Sequence, residues 1–281
     1  MSIIKIKKEE VYPIILLMMM FFCIVGSSIT GASARDTFFL TQFDRSLLPL
    51  MFALVAGLMV VVISIYNKMT SNLDLVKTII FSSVFFCITL FIIRFNLNGF
   101  VIPLFYAWTD VIISITIFQF WLLASEIFNA RQAKRLFSVI GIGGSIAGIS
   151  AGYIMRPFVL RFGAENLLIP TIIFIALIGI FAAYLNPFRA KKDNSFKKDT
   201  KNETSKNIFD PYLKSILVMV CSAAICSRII EYQFKITAAT TYSSTAELAS
   251  FFGEYYMYLN GTTLIMQLFL TGFILQRFGI L

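Results

Sequence analysis

Arg228, Glu231 and Lys235 are spaced three and four residues apart inside a stretch, Ser215 to Tyr242, that is otherwise apolar enough to cross a bilayer. A 3.6-residue helix places all three on one face. An ionised side chain at membrane depth costs at least ~2.5 kcal/mol on insertion scales, so such groups mark substrate, ion or proton pathways. A Glu four residues before a Lys is also the favourable order for a local salt bridge. Two readings follow: a self-neutralising structural pair, or charges for which a substrate or proton competes, so that the site switches between pairings. Arg35 and Asp36 close another apolar segment, and Asp110 lies well inside a third, beside Trp108 and Thr109. These residues could share one cavity with Glu231 and Lys235. The alternative for Arg35, Asp36 and Lys235 is that they reach the nearby interface by snorkelling. That alternative fits Arg228 and Glu231 less well, because a long apolar run precedes them.

The residue types exclude much else. Histidine is absent, which removes the commonest metal ligand and the usual near-neutral proton shuttle; any proton carrier has to be a carboxylate. Cys23, Cys87, Cys221 and Cys226 all lie in apolar segments without CxxC spacing and read as packing residues. No nucleophile–base constellation is recognisable, so we expect no enzyme, no cofactor and no metal site. The run Gly141-Ile-Gly143-Gly144-Ser145 has neither a preceding strand nor a following Gly-Lys-Ser/Thr, which excludes a phosphate loop. Gly141, Gly144, Gly148 and Gly152 instead share one helix face and predict close helix packing.

The elements that must position these charges are transmembrane helices. The 281 residues are 58% hydrophobic and 14% charged, with a mean hydropathy of +0.82, more apolar surface than a soluble core can hide. The expected fold is all-α, a polytopic helical bundle. Its candidate spans are about 13–42, 47–66, 76–95, 100–125, 136–156, 166–186, 213–242 and 254–276. The first apolar run is too long for a signal peptide and reads as an uncleaved span. Placing the N-terminus inside puts most of the 24 Lys and Arg on the cytoplasmic side, as the positive-inside rule requires. Arg45, Arg94, Arg156 and Arg161 then face out, and the cluster Arg131, Lys134 and Arg135 anchors the fourth-to-fifth connection on the inner side. This asymmetry accounts for the net charge of +9 without nucleic acid. A polar stretch from Pro187 to Pro211 divides the chain into a six-span half, 1–186, a cytoplasmic linker, 187–211, and the start of a second half, 212–281. Pro13 followed by Arg35-Asp36 is loosely repeated as Pro211 followed by Glu231 and Lys235, as expected of related halves. Related halves would place four more spans after Leu281.

Three segments resemble one family, the ATP/ADP translocase type nucleotide transporters and their wider bacterial relatives in the major facilitator superfamily. They are Arg35-Asp36 with Phe38-Phe39-Leu40, Trp121 through Glu126 to Ala133-Lys134-Arg135-Leu136-Phe137, and Glu231-Tyr-Gln-Phe-Lys235 leading to Phe252-Gly253. The resemblance implies twelve spans and secondary transport, in characterised members the exchange of ATP for ADP. It also implies functional roles for Arg35, Asp36, Glu126, Glu231 and Lys235. The chain departs from the nucleotide exchangers in having Arg35-Asp36 for their Lys-Asp, Tyr232-Gln-Phe234 for Val-Thr-Trp, and Ser125 for an amide residue. In these departures it is more similar to uncharacterised bacterial relatives, some of which carry appended soluble domains.

Three functional classes fit. The first is a major-facilitator-like transporter at a bacterial inner membrane, using Arg35, Arg228 and Lys235 to attract an anionic or phosphorylated solute, a nucleotide among the candidates. In that class Asp36, Asp110 and Glu231 hold the cations when the site is empty. The second is a proton-coupled carrier of a neutral or cationic solute, with Glu231 or Asp110 moving the proton. The third is a membrane anchor or sensor for attached soluble domains. The expected partners are the lipid bilayer, a small anionic solute, and a proton or counter-substrate.

Overall fold

The computed structural model describes residues 7–70, 73–97, 99–189, 211–242 and 244–267, and among these it contains eight α-helices and short 3-10 turns, with no strand. The helices are α1 (Lys8–Gln42), α2 (Leu48–Thr70), α3 (Leu75–Phe95), α4 (Val101–Ile127), α5 (Ala130–Phe162), α6 (Leu168–Leu185), α7 (Pro211–Thr241) and α8 (Thr245–Ile265). Seven of them are long and apolar enough to cross a membrane. The chain is a multi-pass helical membrane protein. The described part of α8 does not qualify by itself. It starts earlier than the expected 254, where Ser244 accepts the Glu247 N–H at 3.2 Å, and so takes in Glu247 and Glu254. The more apolar continuation of that span lies outside the described residues, as does most of the expected linker, 190–210.

The fifth helix also exceeds its expected bounds, for a local reason. Asn129 accepts the Gln132 N–H at 3.0 Å while Gln132 Oε1 accepts the Asn129 N–H at 3.1 Å. This reciprocal cap starts the helix within the basic stretch. At the other end Gly163, at φ 84°, donates its N–H to Val159 O at 2.8 Å. The positive φ favours glycine there.

Helix α1 is the centre of the bundle, packed by α4, α5, α6 and α8. One apolar cluster gathers at its N-terminal half around Leu17, Met20, Phe120, Leu136 and Ile178. A second surrounds its C-terminal half, with Phe38, Phe39, Phe105, Tyr106 and Phe252. The glycine stripe of α5 packs closely, as its spacing predicts, but against two partners. A Cβ at Gly144 would strike Phe21 of α1, whereas one at Gly148 would strike Asn260 and one at Gly152 the Gly253 carbonyl and Met257 of α8. Helix α7 meets the bundle only along its last third. Every residue from Leu213 to Ile230 is exposed, while Lys235, Ala238 and Ala239 are buried. Arg45 ties that end down, donating from Nη2 to Ala239 O at 2.6 Å.

Candidate functional site

Three helices bring the intramembrane charges together. Arg35 and Asp36 are seven and six residues from the end of α1, Asp110 is in the second to third turn of α4, and Arg228, Glu231 and Lys235 occupy one stripe of α7. Because the described end of α7 lies against α1 and α2, residues 199 apart in sequence meet: Lys235 Nζ donates to Asp36 Oδ1 at 3.0 Å. The same ammonium is 2.7 Å from Glu231 Oε1. Glu231 Oε2 accepts from Arg228 Nη1 at 2.7 Å. On the other side Arg35 Nη1 is ion-paired with Asp110 Oδ1, and Arg35 Nε is 3.4 Å from Asp36 Oδ1. The result is an alternating chain, Asp110, Arg35, Asp36, Lys235, Glu231, Arg228, with three cations and three anions.

Alternation is what allows the charges to sit there, because an unpaired ion in this environment carries several kcal/mol of desolvation cost. The local Glu231–Lys235 pair of the sequence reading exists, but it is one link of the chain. Burial follows a gradient along it. The side chains of Asp36, Lys235 and Arg35 are 3%, 4% and 6% exposed, against 17% for Asp110, 29% for Glu231 and 55% for Arg228. The middle of the chain is sealed and its two ends are accessible.

Tyr106 escaped the sequence reading. It is fully buried, accepts a hydrogen bond from Lys235 Nζ at 3.1 Å, and holds the Arg35 guanidinium over its ring, 4.7 Å from the centroid. It thus contacts both buried cations, by cation–π attraction and by its hydroxyl. Its position one helical turn before Asp110, on the same face of α4, was the available signal. Phe52 of α2 does similar service on the exposed side, 5.6 Å from both Arg228 Cζ and Lys235 Nζ.

Glu126 is not part of this chain. Sixteen residues beyond Asp110, it lies about 24 Å further along α4. There its Oε2 accepts from Arg189 Nε at 2.7 Å, and Arg189 Nη1 reaches Asp74 Oδ1, also at 2.7 Å. Arg189 is partly desolvated, which by itself favours its neutral form, yet the hydrogen bonds it donates to Asp74 and Glu126 hold its pKa above the usual value. The Asp74 carboxyl is held below its usual range by the Arg189 hydrogen bond. The side chains of Arg131, Lys134 and Arg135 lie outside the described residues.

Two cavities flank the α7 stripe. One, of about 520 Å³, lies between α2, α4 and α7 and is lined by Phe52, Asp110, Ser114, Arg228 and Tyr232 among others. The other, of about 340 Å³, lies between α1, α7 and α8 and is lined by Asp36, Glu231, Lys235, Phe234, Tyr255 and Tyr256 among others. Both ends of the charge chain, Asp110 and Arg228, therefore border the first cavity, whereas the second is bordered by the interior members Asp36, Lys235 and Glu231.

A family model described as TLC ATP/ADP transporter matches residues 103–281. The ADP,ATP carrier protein 1 of Chlamydia pneumoniae is 22% identical over 198 residues, covering 61% of this chain and 38% of that protein. Its counterparts in Chlamydia trachomatis and Chlamydia muridarum are each 22% identical over 196 residues, covering 61% of this chain and 37% and 36% of their own length. The chain thus spans well under half of the curated relatives it matches. No solved structure matches it. The family match includes Asp110, Arg228, Glu231 and Lys235, and begins after Arg35 and Asp36. The chain belongs to the TLC ATP/ADP transporter family.

Proposed function

We propose that this member of the TLC ATP/ADP transporter family forms part of a secondary active transporter of major-facilitator type for an anionic, phosphorylated solute, with ATP/ADP exchange as the specific activity. The observation that carries the reading is the buried alternating charge chain whose two ends, Asp110 and Arg228, border the cavity between α2, α4 and α7, and whose Glu231 borders the cavity between α1, α7 and α8. An empty site keeps Arg35, Lys235 and Arg228 compensated by Asp36, Asp110 and Glu231. An incoming phosphate offers the cations a competing partner, first at Arg228 and then, with Glu231 displaced, at Lys235. Because the chain crosses α1, α4 and α7, exchanging one pairing for another changes the forces between those helices, which is the differential interaction a transport cycle needs. In this reading the protein sits in a bacterial inner membrane with its N-terminus in the cytoplasm, the Arg189 cluster lies at the cytoplasmic end, and residues 1–186 and 212–281 belong to two halves.

The test is exchange of labelled ATP against internal ADP by the full-length protein in liposomes, in the absence of any ion gradient. Exchange is expected, and its absence for both nucleotides and simpler phosphate esters overturns the anion reading. A second reading is favoured by the accessibility of Glu231: a proton-coupled carrier in which that carboxylate titrates. Glu231→Gln then abolishes proton-driven uptake while leaving downhill exchange, and retained proton coupling removes Glu231 from the role.

A further inference from the structure

Helices α7 and α8 are fastened to the rest of the bundle in different ways. Helix α8 follows α5 over most of its length. Arg156 Nη1 is 2.9 Å from Glu254 Oε1, Gly152 and Gly253 bring the two backbones together beside that pair, Asn260 fills the space over Gly148, and Ser145 Oγ donates to Gln267 Oε1 at 3.2 Å further along. Parting so dense a contact would forfeit its packing along the whole pair. Helix α7 is instead exposed from Leu213 to Ile230 and engages at its other end. Two of its bonds to other elements lie there, four residues apart: Lys235 donates to Asp36, and the Ala239 carbonyl accepts from Arg45 Nη2 at 2.6 Å. Ala239 is in the last turn of α7, where carbonyls lack partners within the helix and the helix dipole favours a cation. Leu48, Ala238, Ala239 and Leu248, all buried, belong to one apolar cluster with it. In the orientation proposed above this is the outer end, whereas the cavity bordered by Asp110 and Arg228 extends the opposite way, to Met59 and Ala224.

We propose that Arg45 is the latch of an outer gate: its bond to the Ala239 carbonyl holds the end of α7 against the start of α2, and α7 swings away there when the bond breaks, while the α5–α8 pair stays together as the fixed side. This rests on the transport reading and adds the residue that controls access from one side. Lys235 and Ala239 hold the same stretch of α7, one turn apart. A ligand that draws Lys235 away from Asp36 removes one of these two fastenings, so occupancy of the charge chain and release of the latch are linked.

Spin-label distances read the gate directly, in full-length protein freed of its native cysteines and held in lipid nanodiscs, with thermal melting to confirm folding. Ser46→Cys with Thr240→Cys, both exposed, flank the latch; Tyr153→Cys with Tyr258→Cys, both exposed, report on the α5–α8 side. Across the latch a short distance is expected to predominate without ligand, and ATP is expected to raise the long-distance fraction. Arg45→Gln is expected to raise that fraction roughly fivefold without ATP, the effect of about 1 kcal/mol, and Arg45→Lys, which keeps a donor, to raise it less. The α5–α8 distance is expected to stay single throughout. Distances across the latch that respond neither to Arg45→Gln nor to ATP overturn the latch, and an α5–α8 distance that changes as much overturns the fixed side. A response to Arg45→Gln without one to ATP upholds the latch and overturns its link to the charge chain. The liposome exchange assay separates this from the transport reading: exchange by wild type with immobile labels overturns the latch alone, and a latch that Arg45→Gln opens in a protein exchanging neither nucleotides nor phosphate esters overturns the transport reading alone.

Discussion

Two ion clusters sit about 24 Å apart along α4, and they are built differently. The Arg189 cluster joins helix ends: Asp74 precedes α3, Glu126 is in the last turn of α4, and Arg189 follows α6. Its carboxylates are 40% and 24% exposed, so water and screening take most of its worth, and it works as a clasp of at most about 1 kcal/mol. The Arg35–Lys235 chain joins helix interiors, is sealed at its middle, and enlists Tyr106 where water would otherwise solvate the cations. A clasp tolerates a missing member because water replaces it. A sealed chain does not, and a sealed chain with open ends is suited to a ligand that supplies the replacement.

The largest expected effect is therefore on the sealed side. Arg35→Leu leaves Asp36 and Asp110 facing each other and should destabilise the protein by about 3–5 kcal/mol, the usual result of removing one partner of a buried pair. Thermal melting of the purified protein checks this. Adding Asp110→Leu should recover part of the loss, a coupling that a double-mutant cycle reads directly; strict additivity would mean that the two side chains do not depend on each other. A smaller change, Tyr106→Phe, keeps the ring under Arg35 and removes only the acceptor for Lys235. It should cost about 1.5–3 kcal/mol, as for a hydrogen bond to a charged group.

The clasp should answer weakly and in a pH-dependent way. Since the hydrogen bond from Arg189 holds the Asp74 carboxyl below the usual carboxylate range, the pair contributes stability above that range, which is lost as the pH falls through the depressed value. Arg189→Gln should cost at most about 1 kcal/mol at neutral pH and should flatten that part of the acid profile below about pH 4. A loss as large as that of Arg35→Leu would erase the distinction between the clusters.

The helices, and the positions of the charges along them, were legible in the sequence because apolar runs and their interruptions are local properties. The pairing was not. Sequence spacing exposes an i, i+4 bond such as Glu231–Lys235, but the Asp36–Lys235 link spans 199 residues and depends on how α7 leans on α1. Tyr106 read as one aromatic among many, since only the arrival of two cations from other helices gives its ring and hydroxyl separate tasks. The family motif groups Glu126 with the intramembrane charges, whereas the structure pairs it with Arg189, beyond the end of α6. The distance between Asp110 and Glu126 along a single helix already separates them. Helix α5 outran its apolar core for a similar reason: the Asn129–Gln132 cap extends it into polar sequence that hydropathy counts as loop.

On the proposed reading the sealed charge chain, and not the clasp, is where the transported anion competes. The most direct measurement is the initial rate of labelled ATP exchange against internal ADP in liposomes carrying full-length protein, compared between Lys235→Gln and Arg189→Gln after both have been shown to fold. Lys235→Gln should lower the rate roughly 100-fold, the equivalent of about 3 kcal/mol, while Arg189→Gln stays within about threefold of wild type. Near-normal exchange by folded Lys235→Gln would contradict the claim.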